Sequence, residues 1–229
     1  LSASNAGGSN VAIGVNALRV GQNNSVVGIG TSSGEFNEGA DNVFIGGGAG
    51  QQHTTGAYNV IIGRFAGAGA SGLSTYQKNV IIGYAAGVVI TTGSSNILIG
   101  HLAGFRQTTL SNLLIVDNQV RASTAEELTN SILYGVMAAT PAAQTLRLNA
   151  VISIILDSAT TNAAIPVQYL QANSTGTVAN GFGVQQFFVA ETATADTEQT
   201  QALINTSWVD ATNATRKAKL SLSAYDTAA

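Results

Sequence analysis

Few side chains in this sequence have the chemistry of a catalytic or metal-binding group. The 229 residues include two histidines, His53 and His101, and no cysteine. In a Ser-His-Asp triad a carboxylate orients the histidine. No carboxylate lies within ten residues of His53, and nothing in the sequence points to a triad that forms in space. His101 falls in a repeat position that Gly47, Arg64 and Tyr84 fill elsewhere, which is typical of a solvent-facing site. With two histidines and no cysteine, a zinc site is not expected.

The acidic residues do not form a pattern that predicts glycan cleavage. Enzymes that hydrolyse sugars place two carboxyl groups on either side of the bond, whereas the adjacent Glu126 and Glu127 diverge on a helix or on a strand. Two glycine clusters, GGGAG at 46–50 and GAGASG at 67–72, lack the spacing of a phosphate-binding loop. We therefore predict no enzyme activity, no cofactor and no metal. The carboxylates are Glu35, Glu38, Asp41, Asp117, Glu126, Glu127, Asp157, Glu191, Asp196, Glu198, Asp210 and Asp226.

The composition favours a structural protein. Charged residues make up 9% of the chain, against about 25% in ordinary globular proteins, while Gly is abundant at 26 residues. A formal net charge of −3 does not favour nucleic-acid binding. The most apolar window, residues 80–90, is much shorter than the about 20 residues of a membrane-spanning helix, so membrane insertion is not expected.

The first half of the chain repeats a short motif. An Asn is followed by three mostly apolar residues and a Gly, and four copies continue as x-x-A-G. Copies begin at residues 10, 24, 42, 59, 79 and 96, and a degenerate copy, NLLIV at 112, has lost its Gly. The structural repeat residues are therefore Asn10, Gly14, Asn24, Gly28, Asn42, Gly46, Asn59, Gly63, Asn79, Gly83, Asn96 and Gly100.

Each motif predicts one short strand of a parallel β-solenoid. Three apolar, often β-branched residues between Asn and Gly favour a strand, and the Gly permits a sharp corner. Because side chains alternate between the faces of a strand, Val80 and Ile82 point one way and Ile81 the other. Both faces are apolar, so both must be covered. The residues expected in the coil core or at an assembly axis are Ile13, Val27, Ile45, Ile62, Ile81, Ile82 and Ile99.

Two arrangements can cover the second face of each strand. Three copies around a threefold axis would bury identical faces together, and this trimer is the arrangement we predict. The alternative is a monomeric left-handed β-helix with larger coils. In either case, the small Ala-Gly pair is expected to let a second backbone segment pass close by. The variable stretches between copies, QQHTTGAY at 51 and ASGLSTYQK at 70, are expected to be polar loops on the outside.

The motif also carries a family resemblance. The copies NVAIG, NSVVG and NVIIG resemble the head repeats of trimeric autotransporter adhesins, in which short coils build a trimeric left-handed β-roll. The longer form N-x-x-I-G-x-x-A-G is still more similar to repeats in phage tail-fibre proteins. The resemblance implies a trimeric β-roll-like shaft over residues 1–117.

The second half of the chain reads as a different β structure. Strands are predicted at SILYGVM (131), LRLNAVISIIL (146), VQYLQ (167), VQQFFVA (184), ALINTSWV (202) and KAKLSLSAY (217). The last two flank the turn-rich DATNATR and favour a hairpin. STAEE at 123 fits either a capped helix or a loop. We predict a connector with short strands over 118–150 and a small β-sandwich-like module over 151–229.

This half resembles a known class as well. GFGVQQFFVAET, WVDATNATRKAKL and YDTAA are similar to a segment near the end of phage tail-fibre proteins, which a self-cleaving chaperone often follows. The resemblance implies a homotrimeric, extracellular fibre of a phage tail or virion. Its partners would be other tail or virion proteins and a host cell-surface glycan or protein receptor.

Two alternatives to the phage fibre stay open at this stage. A bacterial trimeric autotransporter-type adhesin would share the shaft, and its gene is expected to encode a membrane-anchor barrel further on. A glycan-cleaving tailspike is the enzyme alternative, and it would release new reducing ends from a polysaccharide.

Overall fold

The chain forms two compact units, Leu1–Val151 and Ile152–Ala229. A computed structural model describes residues 8–20, 25–69, 74–140, 143–150, 183–191, 198–210 and 217–224. The strands predicted at 167 and over most of 146–156, the DATNATR turn and the YDTAA end lie outside these described residues. Residues 118–150, predicted as a connector, belong to the first unit.

The first unit is a β-solenoid of about six turns. Seven short strands follow one another along the chain and pair in parallel, each with the next. They are β1 (Val11–Ile13), β2 (Val27–Ile29), β3 (Val43–Ile45), β4 (Val60–Ile62), β5 (Val80–Ile82), β6 (Ile97–Ile99) and β7 (Leu113–Val116). The chain therefore makes one coil between successive strands, as the repeats predicted.

The register corrects the alignment of the second and seventh repeats. Val27 pairs with Val11 and Val43, so Val26 holds the position of the motif Asn and Gly30 that of the corner Gly. Gly28 is instead the middle residue of β2, where Leu18 fills the space that a side chain would occupy, since a Cβ there would lie 2.7 Å from Leu18 Cγ. The predicted assignment of Asn24 and Gly28 as the Asn and corner Gly of the second repeat is therefore wrong; Asn24 itself lies outside the described residues.

The seventh repeat is shifted by one residue from the predicted alignment. Leu114 pairs with Ile97, so Leu113 holds the Asn position and Asp117 the corner. With both corrections, the first residues of paired strands lie 16, 16, 17, 20, 17 and 17 positions apart. The coils are thus more uniform in length than the motif spacing alone indicates.

The middle residue of each strand faces the interior of the coil. Phe44, Ile61, Ile81, Leu98 and Ile115 are all buried and form the spine of one core cluster. Alternation along a strand therefore turns the first and third residues outward. Of the residues expected in the core or at an axis, Ile81 lies in the coil core. The others lie on the outer face, and these are Ile13, Val27, Ile45, Ile62, Ile82 and Ile99.

An antiparallel extension and one helix close the first unit. β8 (Leu133–Val136) pairs antiparallel with β7, and β9 (Thr145–Leu148) pairs antiparallel with β8. Between β7 and β8 lies the helix α1 (Thr124–Asn130). Ser123 caps it, because Ser123 Oγ accepts the Glu126 N–H at 3.2 Å. The helical alternative for STAEE is the one the structure adopts.

The second unit contains a three-stranded antiparallel sheet in its described residues. Its strands are β10 (Gly183–Glu191), β11 (Glu198–Asp210) and β12 (Lys217–Ala224), with β11 in the centre. β11 and β12 are the predicted pair of neighbouring strands. Trp208 lies on β11 opposite Ala218 and is half-buried.

Candidate interaction surfaces of the solenoid

The motif asparagines form a buried ladder of hydrogen bonds along the solenoid. Asn42 Oδ1 accepts both the backbone N–H and the side-chain Nδ2 of Asn59, each at 2.9 Å. Asn59 Oδ1 accepts the same two groups of Asn79 at 3.1 and 3.2 Å. In the next two coils, Asn79 Oδ1 accepts the N–H of Asn96, and Asn96 Oδ1 accepts the N–H of Leu113. Since buried polar groups are costly unless they are bonded, this ladder fixes the register of successive coils.

The two glycines of the motif have different structural roles. The corner Gly63 has φ +134°, and a Cβ there would lie 2.3 Å from the Gly83 carbonyl oxygen of the next coil. The glycine of the Ala-Gly pair instead faces a core side chain: a Cβ on Gly50 would lie 2.2 Å from Phe44 Cε1. The close backbone approach expected at Ala-Gly therefore occurs at the corner glycine.

His53 and Tyr76 lie inside the coils, which corrects the expectation that their polar stretches are outer loops. Both side chains are fully buried, with ring centroids 4.5 Å apart. His53 Nδ1 lies 2.8 Å from Asn37 Oδ1, and Nε2 lies 3.0 Å from the Tyr76 carbonyl oxygen. Burial lowers the pKa of His53 to about 4, although the Tyr76 carbonyl works in the opposite direction. His53 is therefore a neutral core residue at pH 7.

The carboxylates Asp117 and Glu127 close the end of the solenoid. Glu127 is buried and accepts the Arg106 N–H and the Gln107 Nε2, each at 2.8 Å. Burial raises the pKa of Glu127. Burial also acts to raise the pKa of Asp117, but hydrogen bonds from Arg121 and the Asn118 N–H outweigh it and lower that pKa. Glu127 therefore attaches α1 to the last coil, whereas Asp117 pairs with Arg121 just after β7.

The outward-facing residues of the strands form a continuous apolar surface, which we call the outer stripe. It has two columns, one from the first and one from the third residue of each strand, and every member keeps part of its surface exposed. The first column is Val11, Val27, Val43, Val60, Val80, Ile97 and Leu114, and the third-residue column is Ile13, Ile29, Ile45, Ile62, Ile82, Ile99 and Val116. A contiguous apolar surface of this kind is typical of an interaction site.

A second surface runs along the corner that follows each strand. Successive coils place Arg64, Tyr84 and His101 one above another, since Ala85 N donates to the Arg64 carbonyl and Leu102 N to the Tyr84 carbonyl, each at 2.9 Å. The three side chains are exposed, and the Tyr84 and His101 rings stack with centroids 5.4 Å apart. We call this row the corner column. The solvent-facing position predicted for His101 agrees with its place here.

No family model, curated protein or solved structure matches this chain.

The described residues give no sign of a metal centre or a membrane-spanning helix. Among them, no group of three or more His, Cys, Asp or Glu side chains could hold a metal ion. In the same part of the chain, no helix is long and apolar enough to cross a membrane. The outer stripe and the corner column are the candidate interaction surfaces of the described residues.

Reading the sequence gave the corner column but missed two inward-facing rings. The motif places Gly47, Arg64, Tyr84 and His101 in one repeat position, although the coils differ in length. The inward position of His53 and Tyr76 could not be read from their polar neighbours, although an aromatic ring in each of two successive variable stretches was a usable signal.

Proposed function

We propose that the chain is a homotrimeric fibre protein of a phage tail or virion that supports attachment to a host surface. The observation that carries the proposal is the outer stripe, which extends over all seven parallel strands of the solenoid. In a left-handed β-roll-like trimer, the outer stripes of three copies would meet at the axis. The role is extracellular, and residues 151–229 would form a β-sandwich-like module that follows the shaft in the sequence.

Energetics favour covering the outer stripe. Full burial of a Val, Leu or Ile side chain contributes about 1.5–3 kcal/mol, and roughly half of this remains available where a side chain is half-exposed. Four of the fourteen positions per chain are 37–59% exposed and the others are half-buried. At about a quarter of the full value each, they would contribute roughly 5–10 kcal/mol per chain, which over three chains outweighs an association cost of about 4–15 kcal/mol. A solenoid also extends the same contact along its whole length.

The attachment role follows from the shape of such an assembly. Continuous backbone ladders and a dry axis make a stiff rod, and a rod holds its outer loops and corners away from the particle. Three identical copies then present three identical binding surfaces, so weak contacts gain strength through avidity. A bacterial trimeric adhesin would use the same shaft in the same way and stays the nearest alternative.

Light scattering coupled to gel filtration tests the assembly. We expect a mass near three times 23.2 kDa. Ile82→Asp, which puts a charge on the outer stripe, should reduce the mass to that of one chain while the coils stay folded. A monomeric mass for the unmodified protein would contradict the proposal. Release of new reducing ends from a host polysaccharide would instead favour a glycan-cleaving tailspike.

A further inference from the structure

The corner column ends at a notch beside Arg64. In the coil before Arg64 the equivalent position is Gly47, because Phe65 N donates to the Gly47 carbonyl at 2.9 Å. The missing side chain leaves a cleft of about 250 Å³. We call it the corner notch, and it is lined by Thr31, Ser32, Gly47, Gln51, Arg64 and Phe65.

Phe65 gives the corner notch a fixed aromatic wall. A Cβ on Gly48 would lie 2.6 Å from Phe65 Cδ1, so the ring lies directly on the backbone of the coil before it. The Tyr84 ring meets Phe65 edge-on at a centroid distance of 6.5 Å, and the Arg64 guanidinium carbon lies 4.5 Å from the Phe65 centroid. The ring is still partly exposed. The Arg64 guanidinium therefore lies over part of the Phe65 ring, and a ligand would meet the portion of the ring that stays exposed next to this cation.

The charge at the corner notch is positive. Arg64 is exposed and has no ion pair with any described residue. The nearby carboxylate, Glu35, is bonded to Arg19 Nε at 2.8 Å and to Gln51 Nε2 at 2.9 Å, so Arg19 balances its charge. Residues 1–117 contain four cationic side chains, Arg19, Arg64, Lys78 and Arg106. An uncompensated guanidinium is thus a distinctive feature on a shaft with so few charges.

We propose that the corner notch binds one acidic sugar residue of a surface polysaccharide. The sugar carboxylate would pair with the Arg64 guanidinium, whose planar fork matches a carboxylate, and the C–H face of the sugar ring would pack on Phe65. Gln51 Nε2 and the Ser32 side chain already bond to Glu35, so hydroxyl groups of the sugar would meet the Thr31 hydroxyl, the Ser32 oxygen and Gln51 Oε1. The inference names the ligand class for the attachment role proposed above, and it rests on that role for the choice of a surface polysaccharide.

Size and composition favour a sugar over an acidic peptide. Pockets for drug-sized ligands measure about 300–1,000 Å³, so a cleft of about 250 Å³ accommodates a single residue of a longer chain. A glutamate side chain would offer its carboxylate to Arg64 but carries no hydroxyl groups for the surrounding polar side chains. A sugar acid also uses the aromatic wall and the surrounding hydroxyl and amide groups.

Titration calorimetry on the full chain tests the proposal. The probes are tetrasaccharides of galacturonic, glucuronic, mannuronic and α2,8-linked sialic acid, each with its carboxyl-reduced counterpart, and hexaglutamate as the acidic peptide. We expect at least one acidic tetrasaccharide to bind at least tenfold more tightly than both its reduced counterpart and hexaglutamate. Equal binding of hexaglutamate, or no acidic tetrasaccharide exceeding its counterpart, would overturn the proposal.

Three variants locate the binding. Arg64→Gln should weaken the acidic tetrasaccharide at least tenfold. Gly47→Gln should do the same by filling the corner notch, and the fold accommodates it because the nearest atom to a Cβ at Gly47 is 3.8 Å away. Arg147→Gln, the same charge change at an exposed position on β9, should leave binding unchanged. Unchanged binding by Arg64→Gln would refute the site.

The mass of the same samples separates this inference from the fibre proposal. Binding by a monomeric protein would contradict the trimer and support the corner notch as the binding site. A trimer that binds none of the acidic probes would support the fibre proposal and contradict the corner-notch proposal.

Discussion

The solenoid and the three-stranded sheet solve the burial of apolar side chains in opposite ways. Each solenoid strand is three or four residues long, yet the inward-facing side chains of β3 to β7 are buried because the same coil returns over them. In the sheet, β12 has eight residues, but Leu220 and Leu222 are 64% and 73% exposed. Strand length and apolar alternation are therefore not enough to make an interior. A coil creates its own inside, whereas a sheet needs a second layer.

The same difference separates the two faces of the solenoid strands. Residues of the same chain cover the inner face of the strands, whereas the outer stripe stays partly exposed in one chain. Stability of a single coil stack should thus depend on the inner face, and assembly on the outer stripe and on the exposed face of the sheet. Matched substitutions on these surfaces test whether they differ in this way.

The largest effect is expected from a charge placed inside a coil. Ile81 is fully buried, and an ionised carboxylate there has no partner, so Ile81→Asp should cost at least about 5 kcal/mol and prevent the solenoid from folding. Far-UV circular dichroism and thermal unfolding measure the loss. Leu222→Asp, on the exposed face of β12, should leave the solenoid transition unchanged. A similar loss in both variants would show that the two regions do not differ.

A slightly smaller effect is expected from a methyl group at a corner. A Cβ on Gly63 would clash with the Gly83 carbonyl at 2.3 Å, and its φ is +134°. Gly63→Ala should therefore destabilise the solenoid by about 3–4 kcal/mol. Gly47→Ala is the matched control and should change the free energy of unfolding by less than about 0.5 kcal/mol. Urea denaturation compares them, and equal midpoints would be inconsistent with stacked corners.

The asparagine ladder should contribute about 2–3 kcal/mol per member. Asn79→Ala leaves the Asn96 N–H and the Gly93 carbonyl without their side-chain partners, and each orphaned buried group costs about 1–3 kcal/mol. The exposed Asn118→Ala should cost less than about 0.5 kcal/mol. The two melting curves would coincide if the ladder only follows the register instead of fixing it.

The smallest effect is a pH dependence from His53. Its folded pKa, about 4, is below the unfolded value of about 6.5, so the unfolded chain binds a proton first as pH falls. Stability should decrease by about 2 kcal/mol between pH 7.5 and pH 5 from this group alone. His53→Gln should lose that part of the slope. Because other acids titrate in both proteins, the difference between their unfolding free energies is the quantity to follow.

Much of the fold follows from the sequence, because a repeated pattern of apolar residues between Asn and Gly has one simple physical solution. The strands at 43, 60, 80 and 97 and the antiparallel pair at 198 and 217 begin close to where the pattern puts them. The second repeat failed because its Gly28 imitates a corner. The strand pairing of β2 identifies Gly30 as the corner glycine instead. A Cβ on Gly30 would lie 2.6 Å from the backbone of Gly46, the corner glycine of the next coil.

The outer stripe could be predicted from the sequence, but the corner notch could not. The alternation of side chains along a strand gives the outer stripe, because Val80 and Ile82 must share a face. The corner notch depends on what is missing at Gly47 and on Gly48 allowing Phe65 to lie flat, and these are relations between coils. His53 turned inward because Asn37 and Tyr76 supply its hydrogen bonds, which a polar loop sequence does not indicate.

The reactivity of single cysteines tests whether sister chains cover the outer stripe. The chain has no cysteine, so Ile99→Cys and Leu110→Cys each introduce one thiol. Ile99 in the outer stripe is 37% exposed in one chain, and Leu110 in a loop is 41% exposed, so an isolated chain would react with a maleimide at similar rates at both sites. We predict that the Ile99→Cys thiol reacts at least tenfold more slowly in the native protein and at the Leu110→Cys rate once unfolded. Equal native rates would contradict the account.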